Sequence, residues 1–472
     1  MKFSKYVMLA GLAGMLGACS SEEPATNGPQ NTGEPVGYVK LALGDQATRA
    51  NDDAEGTAEE SKIETAQFFF YDDDNQLIAT KTVTADQWLD TQKHNANKCV
   101  VLSVDNIKIT QVAVLVNGSI SGSLDNAPDA HTTNGMTGTN FKMFSATTYD
   151  DSNAITYRVP LGKLYATYAE AEAAGDNDVS MIYVERLYAK VNITKDAAYS
   201  VAINNLTEGN SDTKVTVTFE PEKVFVTATN KNSYYRKRLP AWSSLDEELQ
   251  DIVKGPNTTY WCRGYLAGDA TGLASINLPS YNEVTNDKLW TNNTTYVFDH
   301  VGSSLDRYTS VIVAGKYDVK VNGTSIAAAD GSFWLVADEG QFNVYDSEEK
   351  AIAAMGGNED SVLTYDAKTG WSSIAESPIK CMHFDLGLGY YSKGIKRFDK
   401  TADHLSKSYY GIVRNHVYNV NITGITGMGI GINDPDEPII PIDPKDPSNQ
   451  QYYLHMSVKV NPWTVVKQNV AW

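Results

Sequence analysis

Apolar and polar positions alternate with a period of two over many short runs of this chain, the signature of half-buried β-strands. VGYVKLALG (36–44) places Leu41 and Leu43 in that rhythm behind Val36 and Tyr38. KIETAQFFFYDDDNQLIATKTV predicts a hairpin that turns between Asp72 and Gln76, and VVLSVDNIKITQVAVLVNGS predicts two more strands. SMIYVERLYAKVNI, TKVTVTFEPEKVFVTAT, TTYVFDH, TSVIVAGKYDVKV and GSFWLVA continue the series. Short strands recurring between polar turns point to β-sandwiches. Helical signals are few: capping-box patterns at Thr84-x-x-Gln87 and Ser244-x-x-Glu247, and the glycine-ended segments LYATYAEAEAAG and SEEKAIAAMGG.

The pattern breaks in three places. Residues 20–35 are polar and proline-containing and read as a tether. TNKNSYYRKRLP (229–240) marks a candidate domain boundary, and its Arg236-Lys237-Arg238 cluster reads as a solvated loop. Residues 433–450 hold five prolines and read as an extended linker that cannot pair as a central strand. Beyond them the tail alternates Tyr452, Leu454, Met456, Val458 and Val460, breaks at Pro462, and resumes as a second strand through Trp463, Val465, Val470 and Trp472.

Composition narrows the function. With 39 Lys+Arg against 58 Asp+Glu the net charge is −19, which argues against nucleic acid as a partner. The N-terminus has Lys2 and Lys5, then an apolar run too short to span a bilayer, then Leu16-Gly17-Ala18-Cys19. That tetrapeptide resembles a lipobox, which makes Cys19 the lipid-bearing residue after removal of a signal peptide at 1–18. Cys99, Cys262 and Cys381 remain, an odd number; Cys99 and Cys381 sit in strand-like runs and are expected as buried thiols.

Enzyme signatures are missing from the sequence. There is no HExxH, GxSxG, P-loop or CxxC, and the seven histidines never approach metal-ligand spacing. No catalytic residue, metal or cofactor is therefore expected. Arg414-Asn415-His416 reads as the polar entry to a strand, HVYNVNITGI, in which Val417, Asn419 and Asn421 oppose Tyr418, Val420 and Ile422.

FFFYDDDNQLI, QVAVLVNGS, VERLYAKVNI, YYGIVRNHVYNVNITGITGMG and the terminal VKVNPW, in this order, resemble the type V fimbrial subunits of Bacteroidales, and among them the shaft subunits of short (minor) fimbriae. The resemblance implies a mainly β protein. Its two transthyretin-like Greek-key β-sandwich domains, at 50–228 and 229–432, carry a few short helices, the linker at 433–450 and a donor-strand tail at 451–472. It also implies a propeptide at 19–49, lipid-anchored at the outer membrane through Cys19. An arginine-specific protease cuts between Arg49 and Ala50 and removes the first strand with Val36, Tyr38, Leu41 and Leu43. The groove left behind accepts the tail of another subunit. The implied partners are further copies of the chain, accessory tip and anchor subunits, the protease, and host or bacterial surface receptors in adhesion and biofilm formation. The mature form is then extracellular, in the fimbria. The alternatives are a monomeric surface lipoprotein binding glycan or protein, and an accessory tip adhesin of the same fold.

Overall fold

Alternating runs become strands because only a sheet sends successive side chains to opposite faces. The computed structural model describes residues 37–45, 54–89, 98–105, 108–121, 141–150, 152–175, 178–203, 206–208, 215–231, 233–237, 239, 241–245, 247, 250, 276–285, 289–290, 293–300, 308–338, 341–398, 409–442 and 453–464. Within them the protein is mainly β, as its alternation predicts. The strands that matter for the site are β1 (Gly37–Asp45), β2 (Ala54–Glu55), β3 (Ala66–Tyr71), β4 (Leu77–Val83), β5 (Lys98–Val104), β6 (Gln111–Val116), β7 (Met143–Ser145), β8 (Ser180–Arg186), β9 (Tyr188–Ala202), β10 (Thr216–Thr227), β11 (Asn293–Phe298), β12 (Ser310–Val321), β13 (Phe333–Asp338), β14 (Gln341–Tyr345), β15 (Lys380–Phe384), β16 (Leu388–Gly394), β17 (His416–Thr426) and β18 (Tyr453–Thr464).

The first sheet runs β4-β3-β6-β7-β8-β1-β5. Its hairpin turns at the expected residues, with Asp72 N donating to Gln76 O at 3.1 Å and Asn75 at φ 63°. A second sheet runs β11-β9-β17-β18-β2, a third contains β10-β12-β16, and a fourth contains β14-β13-β15. Pro221 is tolerated inside β10 because the register shifts there, and the opposing residue is Gly315, where a Cβ would stand 2.0 Å from Glu220 O.

Among the described residues two large apolar clusters form most of the core, and a smaller one gathers Val336, Ile352, Met355 and Cys381 beside α2 (Glu348–Ala354). Val39, Leu41, Leu43, Phe68, Phe144 and Ile182 belong to the first; Val191, Val224, Val313, Phe333, Tyr391 and Tyr418 belong to the second. The changeover lies at one end of the second sheet. Tyr188, Phe298 and Val417 join the first cluster, while the adjacent Ala189, Val297 and Tyr418 join the second.

Short helices decorate the sheets. α1 (Tyr168–Glu172) has a Thr167–Glu170 capping box, and α2 (Glu348–Ala354) is capped by Ser347. At Thr84-x-x-Gln87 the cap starts a single 3-10 turn, Ala85–Gln87. Ser244 ends a 3-10 turn, Trp242–Ser244; Glu247 and Gln250 just after it are helical, and most of the rest of that segment lies outside the described residues.

Three expectations need correction. Lys237 is not in a solvated loop. It is 1% exposed, and its Nζ lies 2.6 Å from Glu185 Oε2, a carboxylate that is itself buried and so offsets the cost of desolvating the lysine. The first half of the proline run is not a free linker. Ile439 and Ile442 are buried, Ile442 N donates to Ser392 Oγ at 3.1 Å, and Tyr390 OH donates to Ile440 O at 2.8 Å. Proline cannot donate to a ladder, but the isoleucines between the prolines still drive docking. Pro462 does not break the tail. β18 runs through it, opposite His416, and is an edge strand along that length among the described residues. A residue without an N–H can sit on an edge because its nitrogen need not donate to a neighbour.

The junction also holds His300, which is fully buried. Its backbone exchanges N–H···O bonds of 2.7 Å with Ile412, and its Nδ1 lies 3.1 Å from Thr309 Oγ1. Burial pushes the imidazole pKa down to about 4. The folded state therefore binds fewer protons than the unfolded chain. The associated stability is complete above the ordinary histidine value of about 6.5 and is lost as pH falls from there toward the folded value, by roughly 3 kcal/mol in all. Thermal midpoints measured across that window should fall, and His300→Gln should flatten the fall.

Candidate assembly site: an embedded first strand and an edge tail strand

β1 is an interior strand. It pairs antiparallel with β5, from Gly37↔Val104 to Leu43↔Lys98, and parallel with β8, from Leu41↔Ser180 to Asp45↔Val184. Val39, Leu41 and Leu43 are each 0% exposed and face the first core cluster. Their neighbours Val100 and Leu102 in β5 and Ile182 in β8 complete that wall. Val36 lies outside the described residues.

The other face of β1 is covered as well. There the Tyr38 ring meets Tyr168 edge-on at 6.2 Å, while in the plane of the sheet Tyr38 N donates to Tyr165 O and Tyr165 N to Tyr38 O, both at 2.8 Å. Lys40 is 2% exposed. Its Nζ donates to the carbonyl oxygens of Glu172 at 3.2 Å and Ala174 at 2.8 Å, the C-terminal end of α1. Lysine beside the last carbonyls of a helix satisfies acceptors that have no intrahelical partner. Strand periodicity passes over Lys40, although a lone lysine inside an apolar strand is a signal that something polar lies opposite.

After β1, residues 46–53 connect to β2. Arg49 and Ala50 lie in that connection, outside the described residues; Cys19, ahead of β1, lies outside them too. The chain is then anchored at once by Glu60. This carboxylate accepts from Lys190 Nζ at 2.7 Å, Tyr296 OH at 2.5 Å and Thr57 N at 2.8 Å, and Arg186 Nε donates to Glu60 O at 3.0 Å. Burial by itself raises the carboxyl's pKa, but the hydrogen bonds from Lys190, Tyr296 and Thr57 outweigh it and hold the group below its ordinary value. The segment around Glu60 is thus pinned to β8, β9 and β11 through contacts that involve no residue of β1.

The tail strand β18 lies in its own chain, antiparallel to β17 from Thr426↔Tyr453 to His416↔Pro462. At its end Ala54 and Glu55 of β2 pair parallel with Trp463 and Thr464. Leu454 is buried, and Met456, Val458 and Val460 are half-buried against the second core cluster, while His455, Ser457 and Lys459 are exposed. The expected alternation is therefore present from Leu454 to Val460. Tyr452, Val465, Val470 and Trp472 lie outside the described residues. The structure does not bring the first strand and the tail together: β1 belongs to the first sheet and β18 to the second.

Arg414 turns out to be a structural clamp. It is 1% exposed and bonds Asp299 Oδ1 at 2.9 Å, Ser233 Oγ at 2.8 Å, and the carbonyls of Tyr234 and Tyr235, each at 2.8 Å. Cys99 and Cys381 are buried, and burial pushes the Cys381 thiol up to about 12. No group of three or more His, Cys, Asp or Glu suited to a metal occurs among the described residues, and no helix among them is long and apolar enough to cross a membrane. A cleft of about 450 Å³ beside the docked proline run is lined in part by Lys231, Glu283, Tyr365, Tyr390, Asp434 and Glu437.

Residues 383–469 match the family model described as major fimbrial subunit protein type IV, fimbrillin, C-terminal. No curated protein sequence matches the chain. Among solved structures, a fimbrilin (FimA) from Porphyromonas gingivalis is 16% identical with a TM-score of 0.43, covering 92% of this chain and 99% of its own. A provisionally named cell adhesion protein from Parabacteroides distasonis is 16% identical with a TM-score of 0.42, covering 91% and 100%. The tip fimbrial protein Mfa3 from P. gingivalis is 10% identical with a TM-score of 0.29, covering 90% and 99%. The stretch that resembles a fimbrillin C-terminal region therefore takes in β16, β17 and the tail strand β18.

Proposed function

We propose that the chain is a structural subunit of a cell-surface fimbrial shaft, related to the subunits of short fimbriae in Bacteroidales. In this reading it is exported as a lipoprotein precursor lipidated on Cys19, cut after Arg49 by an arginine-specific protease, and polymerised by strand exchange. The observation that carries the reading is the placement of β1. It is an interior strand whose apolar side chains are fully buried, and residues 46–53, containing Arg49, connect it to a separately pinned Glu60. A cut there frees a whole strand without loosening the chain around Glu60. The opened sheet then exposes two rows of unpaired backbone groups and an apolar trough, which an extended alternating segment repairs.

The tail supplies such a segment, and the family-model match over it supports the same role. Its seat on β17 leaves Met456, Val458 and Val460 only half-buried, so transfer into a fully enclosing slot gains apolar burial. Donation requires that β18 leave β17. Tip and anchor subunits, surface receptors, adhesion and biofilm formation follow as the partners and roles of such a shaft.

The decisive experiment is a gel. Surface protein treated with detergent but not heated should run as a ladder that collapses to one band on boiling, and its N-terminal residue should be Ala50. Deleting 453–472 should abolish the ladder and leave a folded subunit. A lipidated monomer recovered with or without the protease would sink the reading. The second reading, a surface protein that binds a glycan or a protein as a monomer, draws on the cleft between Tyr365 and Tyr390, and that monomeric outcome would favour it.

A further inference from the structure

A fully buried lysine in a strand that is to be replaced makes a demand on the replacement. Lys40 fills two backbone carbonyls, Glu172 O and Ala174 O, which would otherwise face an apolar strand once β1 had gone. Lys40 lies between Val39 and Leu41, which enter the core on the other face. In the tail, Lys459 lies between Val458 and Val460, and it is the one lysine there with valine on both sides. In its own chain Lys459 is on the exposed face of β18 while both valines turn inward, the same division of faces as in β1.

Resting on the strand-exchange reading above, we propose that Lys459 of one subunit takes the place of Lys40 in the next. Its ammonium then meets the carbonyl oxygens of that subunit's Glu172 and Ala174, and Val458 and Val460 fill the positions of Val39 and Leu41. The triplet Val-Lys-Val reads the same in both directions, so the seat of the lysine does not depend on which way the donor runs. A slip of one residue turns the apolar face outward. A slip of two puts Ser457 or Asn461 under α1 and leaves the carbonyls without a cation, so one lysine sets the register. The partner surface this defines is the C-terminal end of α1 together with the outward face of β5, where Val101 stands opposite Lys40.

Disulfide trapping tests the seat. In a Cys99→Ser background, Val101→Cys is combined in turn with Ser457→Cys, Lys459→Cys and Asn461→Cys, and the assembled polymer is oxidised. Directly opposed strand positions lie within disulfide reach. Only the Lys459→Cys pair should give a ladder that survives boiling and collapses with reductant. Preferential trapping at 457 or 461 would overturn the register. An unheated ladder with no trapping at any of the three would overturn the seat. Failure of the unmodified chain to form any ladder would remove the strand-exchange reading together with this proposal.

A second measurement does not depend on engineered cysteines. Lys459→Met should speed detergent dissociation of the polymer by about tenfold or more, the loss expected when a charged donor leaves buried carbonyls. Lys40→Met should leave polymer dissociation unchanged, because β1 is absent from the polymer. Equal dissociation of the Lys459→Met and unmodified polymers would refute the proposal.

Discussion

A chain that begins at Ala50 and has no donor is expected to be less stable than the chain that retains β1 by roughly 5–9 kcal/mol, counting the burial of Val39, Leu41 and Leu43 alone. That is an upper estimate for apolar transfer, since a denatured chain already buries part of this surface. The loss of paired backbone on both β5 and β8 adds to it, because each strand acquires an unpaired edge in the middle of a sheet. Such a loss is comparable with the whole stability of an ordinary domain, about 5–15 kcal/mol. The trimmed monomer should therefore unfold at far lower denaturant than the longer chain, or aggregate through the open slot. A synthetic peptide of residues 37–45 should restore it, and one spanning 453–464 should do so as well. Equal stability of the long and trimmed monomers would mean that β1 is ornamental, and the strand-exchange reading would then lose its driving force.

Arg414→Met should destabilise the protein by about 3–5 kcal/mol, the usual cost of leaving one member of a buried ion pair without its partner. The guanidinium satisfies Asp299, Ser233 and two backbone carbonyls together, and Met can satisfy none of them. Denaturant unfolding measures the loss; a change below about 1 kcal/mol would show that the site rehydrates freely. A second consequence is local. Arg414 holds the carbonyls of Tyr234 and Tyr235, immediately before Arg236, and Lys237 is held by Glu185. A protease needs an extended, accessible segment, so this clamp keeps an arginyl bond from being cut. The variant should show a new fragment boundary after Arg236 when treated with an arginine-specific protease, while the parent chain should not.

Much of this is legible in the residues. The hairpin at Asp72, the buried thiols, the division of Val417 and Asn419 from Tyr418 and Val420, and the tail's alternation all follow from a period of two, and that period is a local property. Lys237 and the proline run mislead a local reading for one shared reason. Charge and proline report what a segment does in water or in a ladder, whereas Glu185 and Ser392, which decide their burial, lie far away in sequence. Pro462 reads as a break only if its strand has neighbours on both sides. Lys40, Glu60 and Arg186 escape notice because single polar residues carry no periodicity.

Contiguous residues alone establish where the strands lie, which side of each is apolar, and that the first strand and the tail share an apolar-lysine-apolar order. The folded chain was needed to place β1 as an interior strand between β5 and β8, to end Lys40 on a carbonyl 132 residues later, and to seat β18 as an edge strand on β17. Those outcomes depend on long-range pairing and on the desolvation of polar groups, which no local window contains.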